Sequence, residues 1–165
     1  MTTEFESDMT DLLYYYDCDP DKLGAKLPLM VHHVGELDML PPALGGTLSY
    51  DRRGDEWVGF MRSLERATDY EYLILDLTDS MGDLLEVMGY CDRIYTCVRK
   101  DPLSRAKLEE YEKWMVAQQG AEIKARSVKF SFPEFRDLPE RPDMLTRCEL
   151  AGFVRSIISE DEISA

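Results

Sequence analysis

Asp76 stands at the end of the apolar run Tyr72 to Leu75, and small and polar residues follow it as far as Gly82. A carboxylate at the end of a strand can hold a magnesium ion, usually through water, beside the phosphates of a substrate. An aspartate in the same place can instead cap the helix that follows. The residue pattern alone favours this second, structural interpretation, and the rest of the chain has to decide between the two.

Two further groups of polar residues follow later apolar runs. Arg99 and Lys100 come after RIYTCV, and Phe132-Pro133-Glu134 closes the run that starts at Ser127. In open parallel sheets, ligands bind outside the carboxyl ends of the strands. If the three runs are parallel strands, these groups and the aspartate would lie along one edge of the sheet.

Alternating helices and strands are predicted to position these groups. Apolar residues recur at helical spacing in five stretches, and shorter apolar runs bounded by glycine or proline separate them. The predicted helices cover about 8–16 (capped by Ser7 or Asp8), 51–68 (with Trp57, Phe60 and Leu64 on its apolar face), 83–90, 101–120 (with Asp101 as cap, Pro102 in the first turn and Gly120 at its end), and 145–158. The predicted strands are one or two short ones before Pro41-Pro42, then 70–77, 93–98 and 127–135.

The predicted strand 70–77, YEYLILDL, is nearly continuously apolar, which is typical of a strand covered on both faces in a parallel sheet. Strand, helix and strand repeated at these lengths favour right-handed βαβ units. We therefore expect an α/β fold with three layers, a mostly parallel sheet with helices on both faces. Residues 1–165 are expected to form a single domain, with a frayed acidic tail at about 159–165.

Composition limits the classes of protein that remain. The chain has 165 residues, 44% of them hydrophobic and 32% charged, as in ordinary globular domains. No apolar run approaches the roughly 20 residues needed to cross a bilayer. The acidic start MTTEFESDMTD is unlike a secretory signal. We expect a cytoplasmic protein without a membrane span.

The net charge of −14 is unevenly distributed. The first 82 residues carry six basic and seventeen acidic side chains, and the remaining residues carry thirteen and sixteen. Nucleic acid and anionic membranes attract clustered lysine and arginine, and they would repel this chain as a whole. The charge therefore favours a protein partner, or a localised basic site, over direct binding of nucleic acid.

The cysteines and histidines do not predict a metal site. Cys18, Cys91, Cys97 and Cys148 show no ligand spacing, so reduced and mostly buried thiols are expected. His32 and His33 are adjacent and would point to opposite faces of a strand. They are therefore not expected to share a metal ion.

A response-regulator receiver domain is one alternative for this pattern. It also has ILDL with a phospho-accepting aspartate, and Lys129 lies near the place of its lysine. The upstream part does not match, since residues 41–71 hold prolines, glycines and a single helix where a receiver needs helix, strand and helix. The Lys-Pro pair of receivers is also absent, and the lysine lies inside a predicted strand.

The chain more closely resembles the MinD/ParA class of P-loop ATPases. DYEYLILDLTDSMGDLLEVMGYCDRIYTCVRKDPLSRAKLEEYE resembles the family's Walker B strand, switch region, next strand and following helix. DMLPPA is similar to the segment just before it, and KFSFPEF to the stretch near the adenine. The likeness covers nearly the whole chain and is nearest to the divergent TadZ-like branch, which serves polar localisation and pilus assembly.

The resemblance implies roles for three residues. Asp76 matches the Walker B aspartate, which holds magnesium through water. Gly82 matches the switch glycine beside the γ-phosphate, and Pro133 matches the proline of the adenine-side loop. ATP and magnesium are the cofactors that the family implies, and intracellular positioning or pilus-type assembly is the function.

The sequence departs from the family in the phosphate-binding loop. It contains no G-x-x-x-x-G-K-[ST], and GGTLSYDRRG lacks the lysine. It also contains no asparagine for an adenine site. We expect either the carboxyl-terminal two thirds of such an ATPase domain, not hydrolytic alone, or a degenerate relative retained as a non-catalytic protein-interaction domain. Loss of the central P-loop strand would expose a sheet edge, so a partner, a homodimer or poor solubility is expected.

Overall fold

The computed structural model describes residues 7–35, 37–42, 52–77, 83–118, 120–131, 133–135 and 138–163, with side chains described as far as residue 159 except at 142 and 143. Within these ranges it contains seven α-helices and two sheets of two strands each, so the protein is of mixed helix and strand type. The chain divides into two compact units, residues 1–90 and 91–165.

The first unit is built on three helices, α1 (Met9–Cys18), α2 (Leu23–Lys26) and α3 (Gly54–Ala67). Short 3₁₀ turns, Pro20–Lys22 and Leu27–Leu29, flank α2. The helical spacing of the apolar residues brings them onto one face of each helix, and these faces form the core. The buried core residues are Leu12, Leu13, Leu23, Leu27, Met30, Trp57, Phe60, Met61, Leu64 and Val87.

The start of α1 is capped as the sequence predicts. The Asp8 carboxylate accepts a hydrogen bond from the Thr10 amide at 2.7 Å, and the Asp8 amide donates to Oδ2 of Asp11 at 3.1 Å. These bonds satisfy amide groups that the first turn of a helix leaves without partners.

A hairpin joins α2 to the next part of the first unit. Strands β1 (His32–Val34) and β2 (Leu37–Met39) are antiparallel, and His33 lies opposite Asp38. Gly35 in the turn has φ +67°, a conformation that glycine adopts without steric cost. The two short strands are confirmed, but they form a separate antiparallel pair.

Helix α4 (Leu84–Tyr90) ends the first unit and is tied to α3 at its start. The Asp83 carboxylate accepts a hydrogen bond from the Gly54 amide at 3.1 Å, so it caps α3 from a distant part of the chain. Asp83 itself has φ +52°, in the left-handed region that aspartate tolerates better than most side chains.

The second unit contains a parallel strand pair. Strand β3 (Ile94–Cys97) pairs with β4 (Ser127–Phe130), and Ile94 lies opposite Ser127. The helices α5 (Pro102–Ala117) and α6 (Ala121–Ala125) connect the two strands. A 3₁₀ turn, Pro142–Arg147, and helix α7 (Glu149–Ile163) follow.

Most predicted elements are confirmed with small shifts of their ends. The strand predicted over 127–135 covers only Ser127–Phe130, because its partner β3 ends at Cys97, opposite Phe130. The Asp101 carboxylate caps α5 by accepting from the Ser104 amide at 2.9 Å, and Pro102 occupies the first turn. The last helix begins at Glu149, four residues later than predicted, and continues to Ile163. The single domain over 1–165 and the frayed tail at 159–165 stay predictions.

The predicted strand over 70–77 is wrong. Residues 72–77 form neither helix nor strand, and Tyr72, Leu73 and Ile74 are exposed. The apolar pattern indicated burial on both faces, but a strand also needs a neighbour to receive its hydrogen bonds. In the described part of the chain, β3 pairs with β4 alone and residues 72–77 have no such neighbour.

Candidate functional site

Asp76 lies in the first unit, and its side chain is exposed. The residues on either side of it, Leu75 and Leu77, are half-buried and pack against the core of that unit. The aspartate therefore faces solvent, while its neighbours hold the chain against the protein.

Residues 70–77, which we call the 70–77 segment, are mostly exposed. Residues 70–74 are all exposed, with Tyr72 at 69% and Ile74 at 79%, whereas Leu75 and Leu77 are half-buried on either side of the exposed Asp76. Over residues 74–77 exposed and half-buried side chains therefore alternate, and a period of two residues is that of an extended chain. We call Tyr70, Tyr72, Ile74 and Asp76 the outer face of the segment.

The backbone of this segment is also unpaired within the described part of the chain. In that part, residues 72–77 take part in none of the backbone–backbone hydrogen bonds that lie outside the helices and sheets. Extended backbone with free amide and carbonyl groups is a template for pairing with another strand. The segment thus combines an apolar outer face with an open backbone.

The first residue of the segment is tethered to the hairpin. The Tyr70 hydroxyl donates a hydrogen bond to Oδ2 of Asp38, and Oδ1 of the same carboxylate contacts Nδ1 of His33. The bond from Tyr70 and, after it, the contact with His33 lower the pKa of Asp38. The carboxylate in turn raises the pKa of Tyr70 to about 12.

This tether is structural in its chemistry. A phenol with so high a pKa keeps its proton at neutral pH and remains a hydrogen-bond donor. A general acid or base works best when its pKa lies near the working pH, and the pKa of this phenol lies far above it. The contact therefore fixes where the segment leaves α3 and is unsuited to proton transfer.

The other residues singled out by the sequence lie elsewhere. Gly82 falls outside the described residues. Pro133 belongs to the second unit and is exposed. Arg99 and Lys100 follow β3, also in the second unit, and both are exposed. Lys129 lies in β4, and its ammonium group is 2.6 Å from Oε1 of Glu112.

The residues near Asp76 do not make a magnesium site on their own. Within the described ranges, no three His, Cys, Asp or Glu side chains are grouped so that they could hold a metal ion. Magnesium requires near-octahedral coordination and takes the ligands that protein does not supply from water and phosphate. A single exposed carboxylate therefore does not fit a resident ion, although it could touch the water shell of one that arrived with a nucleotide.

The four cysteines form no disulfide and are less buried than the sequence suggested. Cys18 and Cys97 are exposed, and Cys91 and Cys148 are half-buried. All four thiols lie at the ends of elements or on an exposed strand face, where apolar residue type does not guarantee burial. Burial raises the pKa of the Cys91 thiol, which makes it a poor nucleophile.

Two polar clusters were missed by the sequence interpretation. One is the contact of His33 and Asp38 with Tyr70; the hairpin register that pairs the first two residues could have indicated part of it. The other is Glu112, whose carboxylate binds Lys124 at 3.0 Å and Lys129 at 2.6 Å. These three residues are distant in sequence, and no local pattern predicts them.

Comparison with known proteins identifies no relative: no family model, curated protein or solved structure matches the chain. Among the residues that the structure describes, no helix combines the length and the apolar character required to cross a membrane. The candidate site must therefore be judged by its geometry.

Proposed function

We propose that this protein is a non-catalytic interaction module that binds a partner protein through the outer face of the 70–77 segment. The observation that carries this proposal is the exposure of Tyr72 and Ile74 on backbone that is neither helix nor strand and that has no backbone hydrogen-bond partner among the described residues. A partner strand that paired with the segment would satisfy both the backbone and the apolar side chains at once.

The position of the segment supports binding with little loss of entropy. Leu75 and Leu77 already pack against the core, and the Tyr70 hydroxyl is bound to Asp38. A segment held in extended form before binding loses less conformational freedom than one that must be ordered by the partner. The chain therefore presents a partly preformed strand.

Charge indicates the chemistry of the partner. Asp69, Glu71 and Asp76 are exposed within or next to the segment, and the whole chain carries a charge of −14. A second copy of the chain would bring the same negative charges to the interface, and like charges opposed across an interface are unfavourable. We propose a heterologous partner that offers an exposed apolar strand flanked by lysine or arginine.

Fluorescence anisotropy with labelled synthetic peptides tests this proposal. One peptide has a Val and Ile core with alternating Thr and is flanked by lysines; a second has the same core flanked by glutamates. We expect saturable binding of the lysine-flanked peptide and weaker binding of the glutamate-flanked one. Ile74→Asp should abolish binding because it places a charge in the centre of the apolar face.

Leu29→Asp is the matched control, since Leu29 is 77% exposed in the same unit and lies outside the segment. The control should bind like the unmodified protein. The proposal would be contradicted if both variants lost peptide binding equally, or if Ile74→Asp bound the peptide as well as the unmodified protein. Sedimentation of the free protein serves as a second readout: a dimer that Ile74→Asp dissociates would assign the segment to self-association instead.

The parallel pair β3–β4 favours a second candidate function, a MinD/ParA-like ATPase-family module with a nucleotide half-site. Two parallel strands connected through helices are the repeating unit of that class of fold. Under this proposal the protein has the three-layer α/β fold and works in the cytoplasm in positioning or pilus-type assembly. Asp76, Gly82 and Pro133 are the residues that the resemblance assigns to Mg-ATP, and the chain would not hydrolyse it alone.

Isothermal titration with Mg-ATP distinguishes the two candidates. The half-site predicts no tight binding by the chain alone and binding once a P-loop segment is supplied, with loss of that binding in Asp76→Asn. The interaction module predicts no nucleotide binding in either case and unchanged peptide binding in the same variant. Tight binding of Mg-ATP by the chain alone would contradict both.

A further inference from the structure

We infer that the second unit binds a small organic anion in a groove beside the carboxyl end of β3. The groove is open to solvent, and its volume of about 360 Å³ is near the lower end of the range of small-molecule sites. It is formed by the end of one strand, the loop residues that follow it and the first three turns of one helix. Its lining residues are Thr96, Cys97, Val98, Arg99, Ser104, Lys107, Leu108 and Tyr111.

Two cations, Arg99 and Lys107, line this groove. Among the residues that the structure describes, neither Arg99 nor Lys107 takes part in an ion pair. Residues 99–107 include four basic side chains and one acidic side chain, although the chain as a whole carries −14. Like charges that share a groove repel each other, and an anion between them would relieve that repulsion.

Two carboxylates near the groove, Asp101 and Glu112, are bound to other groups, and the exposed Glu109 and Glu110 of the same helix do not line the groove. Asp101 accepts from the Ser104 amide at 2.9 Å and from the Ser104 hydroxyl at 2.7 Å. Glu112, on the wall of an adjoining cavity, binds Lys124 and Lys129. Among the described residues, no carboxylate lines the groove itself, so its two cations are left for a ligand.

The remaining walls indicate a ligand with an apolar body. Val98, Leu108 and Tyr111 are half-buried, and the Tyr111 ring stacks on Trp114 with ring centroids 5.8 Å apart. Burial raises the pKa of Tyr111, so its phenol stays neutral beside an anion. The adjoining cavity measures only about 50 Å³, which suits little more than water. The groove thus fits one phosphate or carboxylate group attached to a small ring or aliphatic chain.

Four probes followed by amide chemical shifts of the full chain test the site: phenyl phosphate, benzoate, inorganic phosphate and neutral benzyl alcohol. We expect phenyl phosphate or benzoate to saturate, with shifts confined to the end of β3 and the start of α5. Inorganic phosphate has only the anionic group and benzyl alcohol only the ring, so both should bind at least about tenfold more weakly. The double variant Arg99→Gln, Lys107→Gln should weaken the best probe by about tenfold or more.

Lys113→Gln is the matched control, because it removes one positive charge from the exposed surface of the same helix without touching the groove. It should leave the affinity unchanged. Absence of saturation with all four probes, or equal losses in the control and the double variant, would overturn the inference. Inorganic phosphate binding as well as phenyl phosphate would overturn the assignment to an organic ligand. Ile74→Asp should leave probe binding intact, which separates this site from the proposed partner-binding surface.

Discussion

The two units of the chain differ in what stabilises them. The first unit contains eleven of the thirteen buried apolar residues found in the described part of the chain, and the second contains only Met115 and Ile123. The second unit exposes Leu103, Trp114 and Val116 on a single helix, α5. Its fold depends more on strand pairing, helix capping and the ion pairs of Glu112.

Predicted secondary structure therefore does not determine burial. Both units have amphipathic or apolar patterns, but only the first gathers them into a core. Burying apolar surface contributes about 25 cal/mol per Å², so the larger core should dominate the stability of the chain. The second unit should respond more strongly to pH and salt.

The largest expected effect comes from the core of the first unit. Phe60 is fully buried, and Phe60→Ala should lower the free energy of unfolding by about 3–5 kcal/mol because it removes a large apolar side chain and leaves a cavity. Urea denaturation followed by Trp57 fluorescence in a Trp114→Phe background measures it. Leu103→Ala, at an exposed site, should change it by less than about 0.5 kcal/mol. If both variants lost similar amounts of the free energy of unfolding, burial at residue 60 would not be what stabilises the chain.

The next largest effect concerns the cap that links α3 to the start of α4. Asp83→Ala removes the acceptor for the Gly54 amide and leaves alanine at positive φ, so it should destabilise the first unit by about 1–2 kcal/mol. Thermal unfolding measures the loss. Asp83→Asn keeps an oxygen acceptor and tolerates the same φ, and it should retain most of the stability. An equal loss in both would show that the carboxylate oxygen is not what holds the two helices.

A smaller, pH-dependent effect is expected in the second unit. Lys129 and then Lys124 lower the pKa of Glu112, so its ion pairs stabilise the fold above the ordinary glutamate pKa and are lost as pH falls through the lowered value. Glu112→Gln should cost about 1 kcal/mol or less at neutral pH and should flatten the stability curve in acid. Unfolding followed by Trp114 fluorescence between neutral pH and pH about 3 tests this. If the stability of Glu112→Gln fell with decreasing pH as steeply as that of the unmodified protein, the ion pairs of Glu112 would not be the cause of the acid sensitivity.

The smallest effect compares thiols of the two units. Cys18 in the first unit and Cys97 in the second are exposed, whereas burial raises the pKa of Cys91. At mildly alkaline pH, iodoacetamide should alkylate Cys91 more slowly than the two exposed thiols, because the thiolate is the reactive form. Peptide mapping over time gives the three rates. Faster modification of Cys91 would show that its surroundings are more open than described.

The sequence predicted elements better than it predicted their pairing. Helical spacing placed Trp57, Phe60 and Leu64 on one buried face, and Asp8 and Asp101 were identified as caps. These features depend on residues close together in the chain. The residue types in each short stretch were therefore enough to predict the buried helix face and the caps.

The pairing of strands could not be predicted in the same way. The apolar run at 70–77 has the composition of a buried strand, but a ladder needs a neighbour from elsewhere in the chain, and composition does not name it. The contacts of Tyr70 with Asp38 and of Glu112 with Lys129 also join distant residues. The candidate surface, the 70–77 segment, is the stretch that the sequence predicted to be covered on both faces and that the structure exposes.

Hydrogen exchange of the amides at residues 72–77 measures whether the 70–77 segment is unpaired in the free protein. If the 70–77 segment is an unpaired strand that awaits a partner, these amides should exchange nearly as fast as in an unfolded chain, while those of β3 and β4 are protected. The lysine-flanked peptide should then slow exchange in the segment alone. Protection of residues 72–77 in the free protein equal to that of β3 and β4 would contradict the account, because the segment would then already be paired.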